Sequence, residues 1–156
     1  MVSDLQSNLS EADDWPLPGA VAGLVECHEA SRYQEPPRRG LAAWQISRVT
    51  SYVRDNLEAS LTAQDLADQV SLSAGQFFRA FKASVGLPPF QYVLRKRLER
   101  ACRMMATTDE SLSQIAIACG LCDQSHLCRM FRRMVGESPD AWRRKNNPGR
   151  AARHSR

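Results

Sequence analysis

The stretch Asp109 to Arg144 reads DESLSQIAIACGLCDQSHLCRMFRRMVGESPDAWRR, and its punctuation decides the fold. Ser111 followed by Gln114 has the form of a capping box, in which each side chain satisfies a free backbone N–H, so a helix is expected from Leu112. Ile115, Ala116 and Cys119 recur at helical spacing, and Gly120 stands where a left-handed residue ends a helix without a Cβ clash. Leu121 packs in the turn. Asp123 caps a second helix with Leu127, Met130, Phe131 and Met134 on an apolar stripe, while Gln124, Ser125, Cys128, Arg129 and Arg132 face elsewhere. Two helices joined by a few residues that include glycine form a helix-turn-helix signature.

Working backwards, the pattern stays helical as far as Trp44. Trp44, Ile46, Val49, Val53 and Leu57 form one apolar stripe, with Arg48 and Arg54 off it. Thr62 caps the next helix, with Asp65 in its first turn and Leu66, Ala67 and Val70 facing inward. Ser73 caps a third helix that buries Phe77 and Phe81 and stops by Gly86. Pro89 to Ala106 then form one longer helix, in which Arg95, Lys96, Arg97, Arg100 and Arg103 take mostly solvent faces. Ser138 and Pro139 open a last short helix.

Towards the start, the composition changes. Residues 1–40 carry a net charge of −4 and the remainder +8, which pairs an acidic leader with a basic body suited to a polyanionic partner. WPLPG and SRYQEPPRRG deny regular structure, so residues 1–40 read as a flexible leader and linker, with at most a short helix over 20–30. A domain boundary falls near Gly40. The basic stretch 146–156 is expected to be disordered. No apolar leader or run of about 18 apolar residues exists, and five cysteines form an odd set, so a reduced, cytoplasmic protein is expected.

The chain also repeats itself. Leu66-Ala67, Val70 and Leu72 match Ile115-Ala116, Cys119 and Leu121 at an offset of 49. After one extra residue in the second turn, Arg79, Phe81, Lys82, Gly86, Pro89 and Tyr92 match Arg129, Phe131, Arg132, Gly136, Pro139 and Trp142 at an offset of 50. Both core positions and an outward arginine recur, so the whole helix-turn-helix unit is duplicated.

With LADQVSLSAGQFFRAFKASVGLPPFQYV, RLERA and IAIACGLCDQSHLCRMFRRMVGESPDAWRR on the page, Trp44 to Arg144 resembles the DNA-binding domain of the AraC/XylS family of bacterial transcription regulators. The resemblance implies an all-α fold of about seven helices, with two helix-turn-helix lobes in residues 41–145 joined by the long helix. It also implies that two recognition helices enter successive major grooves of double-stranded DNA, and that activation involves RNA polymerase. Full-length members commonly join such a domain to an effector-binding or dimerisation domain, for which about 40 residues are too few. A small-molecule effector is therefore not expected within this chain, which either acts alone or is a piece of a longer protein with residues 20–40 as a remnant.

A recognition helix offers the outward residues of its N-terminal half to base edges. These are Gln124, Ser125, Cys128 and Arg129 in the second unit and Ala74, Gly75, Phe78 and Arg79 in the first. The first set departs from the polar residues frequent in the family, leaving Arg79 as its long polar reader and Phe78 to meet a thymine methyl or to extend the core. Ion pairing is the competing use of Arg79 and Arg129. Lys82, His126, Arg132, Arg133 and the helix starts at Thr62 and Ser111 are candidate phosphate contacts.

Other chemistries fit poorly. Cys119, Cys122, His126 and Cys128 have a suggestive spacing for a metal or redox site, but on the expected helices they diverge, whereas zinc needs four convergent side chains. Cys27-His28 lacks the proline-flanked setting of a methyl-accepting cysteine. No phosphate loop, carboxylate pair or activated nucleophile points to catalysis, and neither metal nor cofactor is expected. A partner-binding protein that kept the fold with weak DNA affinity remains the alternative.

Overall fold

Short polar side chains start five of the helices in the computed structural model, which describes residues 40–147. The elements are α1 (Ala43–Asp55), α2 (Ala63–Asp68), α3 (Ala74–Val85), α4 (Pro89–Thr107), α5 (Leu112–Ala118), α6 (Gln124–Val135) and α7 (Pro139–Asn146), with no strand among the described residues. The acidic leader, the helix expected over 20–30, Cys27-His28 and residues 148–156 lie outside the described residues.

The expected caps form. Thr62 Oγ1 accepts from the Asp65 N–H at 3.1 Å while Asp65 Oδ2 accepts from the Thr62 N–H at 2.8 Å. The Thr62 hydroxyl and N–H together hold the Asp65 carboxyl below its ordinary pKa. Ser111 and Gln114 exchange the same pair of bonds at 3.2 and 2.9 Å, and Ser73 does so with Gln76. Asp123 Oδ1 accepts from the His126 N–H at 2.6 Å. Each cap satisfies a donor that the helix itself leaves open, an effect of about 1 kcal/mol.

Two hydrophobic cores result. Val49, Val53, Leu57, Leu66, Phe77 and Phe81 fill the first, and Met105, Leu112, Ile115, Leu127, Phe131 and Val135 fill the second. The helix α4 belongs to both, because Val93 completes the first core while Leu98, Ala101, Cys102 and Met105 build the second. Its 19 residues extend about 28 Å at 1.5 Å each. The repeat is visible in the packing: Phe81 meets Tyr92 edge-on at 5.5 Å, and Phe131 meets Trp142 at 6.1 Å in the same manner.

The chain that follows the second helix of each helix-turn-helix returns to the end of that lobe's first helix. From α4, Arg97 Nε donates to the Leu57 carbonyl at 3.0 Å and Nη2 to the Ala59 carbonyl at 2.7 Å. At the position offset by 50, Asn147 Nδ2 donates to the carbonyls of Met105 at 3.2 Å and Thr108 at 3.4 Å. Arg143, 3% exposed, reinforces this end through a 2.7 Å bond to the Thr108 carbonyl.

Three expectations need correction. Trp44 is 61% exposed: five residues separate it from Val49, which turns its side chain roughly 140° from the buried stripe at about 100° per residue. Leu41, which precedes the helix, is buried instead, and its N–H donates to Ser84 Oγ at 2.7 Å. On α6, Val135 joins Leu127 and Phe131 in the core while Met130 and Met134 pack only partly against it. Finally, Arg97 and Arg100 do not simply face solvent, since Arg97 binds the two carbonyls above and Arg100 Nη2 pairs with Glu58 at 2.5 Å.

Candidate nucleic-acid interface

Burying one side of α6 determines what the other side can do. With Leu127, Phe131 and Val135 inward, the helical period of 3.6 residues carries Ser125, Arg129 and Arg133 to the opposite face. All three are exposed, as are Gln124 in the first turn and Arg132 on the flank, while Cys128 is half-buried at the edge of the face. Burying Phe77 and Phe81 has the same consequence for α3: Gly75, Arg79 and Lys82 are exposed, and Ala74 is half-buried. Phe78 corresponds to Cys128. At 38% exposure it does not extend the core. The eight expected base-reading positions thus fall into two sets of four, one on each lobe.

The charge on these faces is not consumed internally. Ion pairs among the described residues include Arg95–Glu99, Lys96–Glu99, Arg100–Glu58 and Lys145–Glu137. None uses Arg79, Lys82, Arg129, Arg132 or Arg133, so the ion-pairing alternative for Arg79 and Arg129 finds no partner among the described residues. Five cations on two short helices, with no acidic residue on either, make a surface that attracts phosphate.

The remaining expected phosphate contacts occupy more constrained places. Thr62 and Ser111 are exposed at the starts of α2 and α5, but their hydroxyls already serve the caps. Either can meet a phosphate only through free N–H groups or by sharing its oxygen. His126 is half-buried, and its Nδ1 accepts from the Cys122 N–H at 3.4 Å, which fixes the ring against the turn. Gln76 escaped the sequence reading, although Ser73-x-x-Gln76 has the same capping-box form as Ser111-x-x-Gln114. Arg97, Arg100 and Glu58 escaped it because their partners lie 38 to 42 residues away and no local pattern marks them.

The cysteines take the divergent positions expected of them. Cys119 is fully buried with its Sγ 3.8 Å from Met104 Sδ, whereas Cys122 is exposed in the turn. Burial pushes the Cys119 thiol up to about 11 and raises Cys102 further. No group of three or more His, Cys, Asp or Glu among the described residues is placed to hold a metal ion. No helix among them is long and apolar enough to cross a membrane.

Known proteins share this arrangement. Residues 66–145 match the model of a helix-turn-helix domain family. The chain is 31% identical over 140 residues to the probable transcriptional regulator LumQ of Photobacterium leiognathi, covering 89% of this chain and 56% of that protein. It is 30% identical over 95 residues to the transcriptional activator RhaS of Escherichia fergusonii, covering 61% of this chain and 34% of RhaS. The chain therefore spans about half or less of these relatives. Among solved structures, the DNA-binding domain of AdpA in complex with a target DNA superposes with a TM-score of 0.62 at 29% identity, covering 67% of this chain and 96% of that domain. An AraC-type regulator from Chromobacterium violaceum gives 0.62 at 30% identity, covering 65% of this chain and 91% of that one. Two capped helix-turn-helix units on a shared central helix, matched in sequence and in shape, establish that the chain belongs to the AraC/XylS family of helix-turn-helix transcriptional regulators.

Proposed function

We propose that this chain binds double-stranded DNA sequence-specifically and regulates transcription by laying α3 and α6 in successive major grooves on one face of the duplex. The observation that carries this reading is the pair of outward cationic faces with no acidic residue on either helix and, among the described residues, no ion pair to their cations. The roughly 34 Å repeat of B-DNA makes two tethered readers geometrically sensible.

The two readers do different work. Gln124 and Arg129 supply paired donors and acceptors for base edges, with Ser125 and Cys128 beside them. On α3, Arg79 is the long polar reader, Phe78 offers its ring to a thymine methyl, and Ala74 and Gly75 permit close approach. Lys82, Arg132 and Arg133 hold phosphates, with His126 and the helix starts at Thr62 and Ser111 completing the register. The protein acts on the chromosome in the cytoplasm and activates through RNA polymerase; of these, the activating role alone takes support from the name of RhaS, a transcriptional activator. No catalytic step is involved.

Selection of bound sequences from a random DNA pool tests this directly. Two short conserved blocks whose centres lie about one helical turn apart are expected. Recovery of a single block, or of no preferred sequence at low salt, overturns it in favour of a partner-binding role.

A further inference from the structure

Gly120 is where the second helix-turn-helix touches the first lobe. It takes φ 73, and a Cβ added there would overlap the Leu57 carbonyl oxygen and lie 3.1 Å from Cζ and Nε of Arg97. Leu57 follows α1 and belongs to the first core. Its carbonyl is already gripped by Arg97 Nε at 3.0 Å, whose Nη2 also holds the Ala59 carbonyl at 2.7 Å. One turn further along α4, Arg100 pairs with Glu58. Gly75, Gly86 and Gly136 differ in this respect, because nothing lies within 4 Å of the place a Cβ would take.

Two pieces of backbone and one side chain therefore converge: the segment just after α1, the turn that leads four residues later into the first turn of α6, and the guanidinium of Arg97 from the middle of α4. A shift at this joint moves Gln124 relative to the first lobe. Adding one base pair between two half-sites displaces the second by about 3.4 Å and turns it by about 35° around the duplex, taking 10 to 10.5 base pairs per 34 to 36 Å. A joint packed without room for a methyl group, and stapled by one guanidinium on two carbonyls, does not follow such a displacement.

Resting on the reading of α3 and α6 as paired DNA readers, we infer that the Leu57–Arg97–Gly120 contact sets their separation and phase, and restricts the protein to two-part sites of one spacing. Arg97 and Gly120 are positioning residues; they touch no base. The Glu58–Arg100 pair steadies the same joint from the solvent side.

The test measures binding of the full chain to selected DNA at its preferred half-site spacing, at spacings one base pair shorter and longer, and to the α6 half-site alone. Wild-type protein is expected to lose about 10-fold or more on a one-base-pair change, comparable to a mismatched base. Gly120→Ala and Arg97→Ala should discriminate spacings by less than about 3-fold, or prefer a different one, while binding the single half-site about as well as wild type. Gly136→Ala imposes the same left-handed strain with nothing for its Cβ to meet, and should keep the wild-type preference. If Gly120→Ala does not fold, Arg97→Lys reads the same quantity, because an ammonium lacks the fork that spans two carbonyls. Full spacing discrimination in both Arg97 variants, or equal relaxation in Gly136→Ala, overturns the inference. Wild-type protein that prefers no DNA sequence at all instead overturns the functional reading beneath it.

Discussion

Ser71 and Gly120 occupy the same backbone position in two copies of one turn, with φ 55 and φ 73. The offset of 49 that aligns the repeat places them opposite each other. An L-residue in the left-handed region costs about 1–2 kcal/mol, and Ser71 is exposed with no side-chain hydrogen bond among the described residues to offset it. Replacing Ser71 with Gly should therefore raise stability by about 0.5–1 kcal/mol, part of the gain being lost to the freer unfolded chain. Urea denaturation checks this; a lower midpoint would mean that the serine side chain is worth more than its strain.

Adjacent phenylalanines should behave in opposite ways. Phe77 is fully buried beside Phe81 with ring centroids 5.3 Å apart, so Phe77→Ala should cost about 3–5 kcal/mol. Phe78→Ala should change stability by under about 1 kcal/mol while weakening DNA binding. Thermal melts and gel shifts on the two variants separate the effects, and a large stability loss at Phe78 would assign it to the core.

Arg129 and Arg133 are both exposed on α6 but should fail differently. Arg129→Ala should cost about 1–3 kcal/mol at one base position and relax preference there. Arg133→Ala should weaken all sequences alike and reduce the salt slope by about 1. Titrations of the selected site and its single-base variants over a range of salt distinguish these outcomes; a preference change in Arg133→Ala would reverse its assignment.

Cys119 links stability to alkaline pH. Its thiol is pushed from the ordinary 9.0 up to about 11, chiefly by burial, so the folded state holds its proton more tightly than the unfolded chain. The resulting stability is complete below about pH 9 and drains away as pH rises towards 11. Cys102 acts in the same direction. Cys119→Val, which installs the residue found at the matching position 70, should fold normally at neutral pH and lose less stability above pH 9 than wild type. An unchanged alkaline slope on denaturant titration would show that other groups dominate it.

Much of the fold could be read from residues close in sequence. Ser111 with Gln114, Thr62 with Asp65, Asp123, and Gly120 each act on backbone within a few positions, so their types alone announce helix starts and ends. The outward faces of α3 and α6 follow from which residues are buried. What escaped was long-range. Nothing near Arg97 indicates that it will hold carbonyls 38 and 40 residues earlier, and Trp44 looks apolar enough for a core until the helical angle to Val49 is counted. Repetition hid a difference as well: Asp123 with His126 replaces the Ser73–Gln76 capping box.

The two lobes own seven helices rather than eight, because α4 is the last helix of one and the first of the other. Val93 and Leu98 are little more than a turn apart, yet they stand in different cores. Melting either lobe strips a wall from its neighbour, so heat or denaturant should dismantle both in a single cooperative step, without a half-folded, single-headed reader. The residues proposed to read bases on α3 and α6 lie outside that shared wall, which leaves each head free to change its base preference while the body they share stays intact.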